Sequence, residues 1–98
     1  MSTSDRFAGK VAVITGGTTG IGRAIARRFV SDGGKIVIGA RHDTLFEEIT
    51  QELGADNCWC QVCDVTNRAQ VDALVQAAYD KFNGFDVMFG NAGINLFK

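Results

Sequence analysis

Ninety-eight residues can build one domain with a modest core and no more. Ten basic residues against eleven acidic ones leave a formal charge of −1, which gives no electrostatic basis for a nucleic-acid or anionic-membrane partner. No apolar run approaches the roughly 20 residues of a membrane helix, and Met1 to Arg6 lacks the apolar stretch of a secretory signal. The expected compartment is the cytoplasm.

Strand-like and helix-like segments alternate along the chain. Lys10 to Thr15 is a short apolar run with β-branched residues, which predicts a buried parallel strand. Gly20 to Ser31 predicts a helix whose inner stripe is Ile21, Ile25 and Phe29, stopped by Gly33-Gly34. Lys35 to Ala40 reads as a second buried strand. A helix carrying Leu45, Ile49 and Leu53 follows, with Asp43 or Thr44 as its cap and Gly54 as its end. Asn57 to Val62 is the third strand, read as buried. Asn67 to Phe82 is the clearest helix, with Val71, Leu74, Val75, Ala78 and Phe82 on one face. Asp86 to Phe89 begins a fourth strand.

This β-α-β-α-β-α-β order predicts an α/β fold, a doubly wound parallel sheet with helices on both faces. Right-handed crossovers put the first two helices on one face and return the third across the other. The strand order is then 3-2-1-4. The loop after the first strand falls at the point where the order reverses, the place where such sheets bind ligands.

That loop is Thr15-Gly16-Gly17-Thr18-Thr19-Gly20-Ile21-Gly22. Glycines at this spacing, between a strand and a helix, let bare main-chain amides approach a phosphate group. A phosphate-loop nucleotidase is excluded by the next two positions. Arg23 stands where lysine is required, and Ala24 where a hydroxyl must hold magnesium. The turn alone would also suit a methyltransferase, a flavoprotein or an ordinary glycine-rich connection.

Further residues narrow the choice. Thr15, Gly16, Gly20 and Gly22, with Asp64-Val65 after the third strand and Asn91-Ala92-Gly93 after the fourth, resemble the short-chain dehydrogenase/reductase family. Gly90 replaces the first asparagine of that family's last motif. The resemblance spans about residues 7 to 95 and implies a Rossmann-like, NAD(P)-binding domain, here a single truncated one over 1–98. It implies that Gly16, Thr18, Thr19, Gly20, Ile21 and Gly22 form the pyrophosphate loop. Asp64 and Val65 would lie near adenine, and Asn91, Ala92 and Gly93 near the nicotinamide-side ribose.

The second strand ends Ala40-Arg41, with alanine where NAD-preferring members carry aspartate. An arginine there can pair two phosphate oxygens, so NADP(H) is the favoured cofactor. Asp43 keeps NAD(H) open.

The implied activity is hydride transfer between nicotinamide and a small-molecule carbonyl or alcohol. The family's serine, tyrosine and lysine would all lie beyond residue 98. The one tyrosine, Tyr79, has Asn83 rather than lysine four positions on, so no catalytic residue is assigned. The expected chain is therefore a cofactor-binding fragment, inactive alone, with an exposed fourth strand that makes it unstable or oligomeric. The alternatives are a non-catalytic NADP(H)-binding or partner-binding module and an inactive truncated product.

Arg23, Arg27 and Arg28 read as a solvated helix face, and His42 as a surface loop residue. Cys58, Cys60 and Cys63 supply three soft ligands, but a structural zinc site usually needs four. They are read as thiols packed as small hydrophobes.

Overall fold

The structure is a computed structural model. It describes residues 5–16, 18 and 20–90, and the backbone of 93–94. Four parallel strands, β1 (Val11–Thr15), β2 (Lys35–Ala40), β3 (Cys58–Val62) and β4 (Val87–Gly90), alternate with helices α1 (Gly20–Ser31), α2 (Phe46–Leu53) and α3 (Arg68–Phe82). A two-residue strand β5 (Gly93–Ile94) closes the sheet, which runs β3-β2-β1-β4-β5. The predicted 3-2-1-4 order is present. The expectation that β4 is an open edge is corrected at its end, where β5 pairs antiparallel with it through Phe89↔Ile94 and Gly90↔Gly93; Val87 and Met88 have no partner in β5.

Strand alternation divides the core into two layers. Ala12 and Ile14 of β1 and Ile36 and Ile38 of β2 join Ala26 and Phe29 of α1 and Ile49 and Leu53 of α2. The intervening Val11, Val13 and Val37 face the other way, onto Leu74, Ala77 and Ala78 of α3. β1 and β2 read as continuous apolar runs because both of their faces are covered.

The helix ends follow from local chemistry. Asn67 caps α3, its side chain accepting a hydrogen bond from the Gln70 amide at 3.1 Å. Asn83 closes the same helix in the left-handed conformation, with φ 69°. On α1 the buried stripe is Gly22, Ala26 and Phe29, not one that starts at Ile21, which is 78% exposed. Ile21 points away from the core while Gly22, next along the same turn, faces it. On α2 neither Asp43 nor Thr44 is the cap. Leu45 holds that position without a side-chain bond, and the Asp43 carbonyl accepts from the Phe46 amide instead.

β3 is the outermost strand, so it is buried on fewer sides than expected. Trp59 is 38% and Val62 50% exposed. The arginines of α1 are also more engaged than a solvated face. Arg23 bonds Glu48 at 2.8 Å and Glu52 at 3.0 Å, Arg27 bonds Glu52, and Arg28 bonds Asp32 at 3.1 Å. The first three contacts tie α1 to α2.

Candidate functional site

Parallel strands end on one side of a sheet, and each chain segment singled out above leaves from such an end. Gly16 follows β1, Arg41 follows β2, Asp64 lies two residues past β3, and Gly90 ends β4. The ends are cross-tied. The Gly16 amide donates to the Gly39 carbonyl at 2.7 Å, and the Cys63 amide to the Ala40 carbonyl at 2.8 Å. The Thr15 hydroxyl reaches the Phe89 carbonyl at 3.4 Å. β1, β2, β3 and β4 therefore present one continuous rim.

Within the glycine loop, Gly16 and Gly20 both adopt positive φ, 73° and 58°. A left-handed backbone is costly for a residue with a Cβ and free for glycine. Space is a separate question, and at Gly20 it is open: a Cβ there would meet nothing within 4 Å. The first turn of α1 carries no acidic residue, so no carboxylate opposes an anion at the positive end of the helix dipole. A pyrophosphate needs bare amides, room and no competing negative charge, and these residues fit it. Gly22 is buried on the inner face of α1 and Thr18 is buried in the loop. Thr19, Asn91 and Ala92 lie outside the described residues, and of Gly93 only the backbone is described, in β5.

Arg41 and Asp64 come together, with Arg41 Nη2 3.8 Å from Asp64 Oδ1 and the Arg41 side chain 68% exposed. An exposed pair at that distance holds neither group firmly. Asp64 is fixed by Thr66 instead. Its Oδ1 accepts from the Thr66 hydroxyl at 2.7 Å and from the Thr66 amide at 2.9 Å. Those two bonds, with Arg41 adding a smaller attraction, hold the Asp64 carboxyl below the usual aspartate range. The Asp64 amide in turn donates to Gln70 Oε1 at 2.8 Å, tying the turn to the first turn of α3. Burial, with the charge of Asp64 adding, pushes the neighbouring Cys63 thiol up. Val65 is exposed on the same turn.

Sequence reasoning missed Thr66 and Gln70. For Thr66 the signal was present in the Asp-x-Thr spacing, which favours side-chain bonding to a nearby amide. It also passed over Gly39, whose place inside a strand marks a close approach. A Cβ at Gly39 would fall 2.6 Å from Leu74 Cδ2 and 3.1 Å from Cys63 Cβ. Tyr79 stands half exposed on α3, edge-on to Phe85 at 5.9 Å and remote from the rim.

The cysteines do not converge as a triad. Cys58 and Cys60 face the α2 layer, and Cys63 the α3 layer. No cluster of three or more metal-ligating side chains occurs among the described residues. No helix among them is long and apolar enough to cross a membrane.

The family model described as short chain dehydrogenase matches residues 10–98. Momilactone A synthase of Oryza sativa subsp. japonica is 46% identical over 90 residues, covering 92% of this chain and 33% of its own length. Short chain aldehyde dehydrogenase 1 of Euphorbia lathyris is 42% identical over 94 residues, again 33% of its length. A crystal structure of 3-ketoacyl-(acyl-carrier-protein) reductase from Brucella melitensis, complexed with NADH, superposes with a TM-score of 0.78 at 39% identity, covering 84% of this chain and 34% of that one. The chain thus spans about a third of the length of the relatives it matches. Sequence, fold and the glycine loop at the sheet's switch point agree: the chain belongs to the short-chain dehydrogenase/reductase family.

Proposed function

We propose that this chain is the dinucleotide-binding portion of an NADP(H)-dependent oxidoreductase acting on a small carbonyl or alcohol. The observation that carries the reading is Gly20, left-handed at the head of α1 with open space where a side chain would stand. Gly16, Thr18, Thr19, Ile21 and Gly22 complete the loop around the pyrophosphate. Arg41, exposed just past β2, meets the ribose phosphate. Asp64, with its carboxylate fixed by Thr66, offers the adenine edge an acceptor, and Val65 an apolar contact. Asn91, Ala92 and Gly93 lie toward the nicotinamide-side ribose. Bound nicotinamide supplies or accepts a hydride. The residues of this chain hold the cofactor and contribute no acid or base, so the chain alone binds without turning over a carbonyl substrate.

Calorimetric titration with NADPH and with NADH tests the reading. NADPH is expected to bind the tighter of the two. Arg41→Ala should weaken NADPH about tenfold or more, since a charge-assisted bond contributes roughly 1.5–3 kcal/mol, and leave NADH unchanged. Equal affinity for both nucleotides, indifferent to Arg41→Ala, would overturn the NADP(H) assignment. Binding of neither by the folded chain would overturn the dinucleotide reading itself.

A further inference from the structure

Cys58 and Cys60 take no part in the rim described above. They stand two residues apart on β3, so both side chains leave the sheet toward α2. There the Thr50 hydroxyl lies 3.7 Å from Cys60 Sγ and 3.8 Å from Cys58 Sγ, gathering both sulfurs about one oxygen. β3 is the outermost strand, and beside the pair lies a cleft of about 390 Å³ lined by Phe46, Thr50, Ala55, Cys58 and Cys60 among others. Both cysteines are free; Cys58 is buried and Cys60 half-buried.

The sulfurs are also chemically unequal. The two neighbouring thiols split: Cys60, with Thr50 adding, holds the Cys58 thiol below the usual cysteine range, and Cys58 pushes the Cys60 thiol up. Cys58 is thus the more readily ionised of the two, and a thiolate is the nucleophilic form.

We propose that Cys58 and Cys60 form a bidentate site for a soft thiophile, of the class of monosubstituted trivalent arsenicals. A compound R–As(OH)2 meets the two sulfurs in turn. Two As–O bonds break and two As–S bonds form. The two hydroxyls leave as two waters with the protons of the thiols, replaced from solvent where Cys58 has already ionised. Arsenic stays trivalent, so no oxidant is required. The organic group settles against Phe46 and Ala55.

Two rival uses of the pair fit the geometry less well. Residues two apart in a strand have Cα atoms roughly 6.6 Å apart, near the upper limit of about 6.8 Å for a disulfide. An atom inserted between the sulfurs relieves that limit. Zinc in structural sites takes four ligands, and no group of three or more converges among the described residues.

The test is titration of the whole chain with phenylarsine oxide, read by intact mass under native conditions. One phenylarsenic group per chain is expected, removed by 2,3-dimercaptopropanol and retained in excess glutathione. Cys58→Ser and Cys60→Ser should each weaken binding about a hundredfold or more, as a linked pair of bonds becomes a single one. Cys63→Ser should bind like the parent. Cys60→Ser binding as tightly as the parent, or Cys63→Ser losing the adduct, would overturn the proposal. So would an adduct seen only in urea, where Cys60 and Cys63 of the unfolded chain can pair. Should Cys58→Ser fail to fold by circular dichroism, the half-buried Cys60 carries the same test.

Discussion

Two glycines near the rim illustrate opposite constraints. Gly20 needs its backbone angle and has space to spare; Gly39 has an ordinary strand conformation and no space at all. A methyl group at Gly39 would press on Leu74 and on Cys63, both buried in the α3 layer with no free direction in which to move. Gly39→Ala should therefore destabilise the chain by about 1–3 kcal/mol, the usual range for overpacking. Urea unfolding of the two proteins measures it. If instead Gly39→Ala is neutral, Leu74 is looser than its complete burial implies. Asp64 shows a third kind of constraint, a carboxylate aimed by its own turn rather than by its nearest cation. The 2.7 Å bond from Thr66 orients it, whereas the 3.8 Å contact with Arg41 leaves the Arg41 side chain exposed to meet an anion.

That aiming depends on how α3 begins. Asn67 accepts from the Gln70 amide, and the Gln70 side chain reaches back to the Asp64 amide, so helix cap and turn form one linked set of bonds. Asn67→Ala removes the first link and is expected to cost about 1 kcal/mol, measured by urea unfolding. Any accompanying loss of dinucleotide affinity would report how far the Asp64 turn follows the cap. The elements themselves were largely legible in the sequence. α1 and β2 have the predicted limits, and β1, β3, β4 and α3 differ by a residue or so at their ends. Where the reading failed, an interaction distant in sequence decided the outcome. Arg23 and Arg27 look like solvated charges until α2 brings Glu48 and Glu52 beside them. β3 looks buried until the sheet order makes it an edge. Ile21 fits a helical stripe, but the packing turns Gly22, Ala26 and Phe29 inward instead. In the candidate site the glycine motif was readable because its chemistry is local, and Arg41 because it abuts a strand end. The fixing of Asp64 by Thr66 is equally local and was overlooked.

At the scale of the whole molecule, the strand ends are arranged so that one ligand could span several of them. The loops after β1, β2 and β3 converge on a single rim, and behind that rim β1 is hydrogen-bonded to both β2 and β4. A dinucleotide lying along the rim would contact segments that are otherwise linked through the sheet and the exposed Arg41–Asp64 pair. Binding to the folded state alone stabilises it by mass action, by about 2.7 kcal/mol at a ligand concentration of a hundred times Kd. For a domain of this size, 1 kcal/mol moves Tm by roughly 4–8 °C, so NADPH at that excess should raise Tm by about 10–20 °C. The shift should grow with the logarithm of concentration and shrink for Arg41→Ala at the same NADPH concentration, because the mutant is less saturated. A melting temperature indifferent to NADPH, in a chain that melts cooperatively, would mean that the rim does not bind it. An equal shift with wild-type and Arg41→Ala chains would mean that the cofactor binds but that Arg41 does not meet its phosphate.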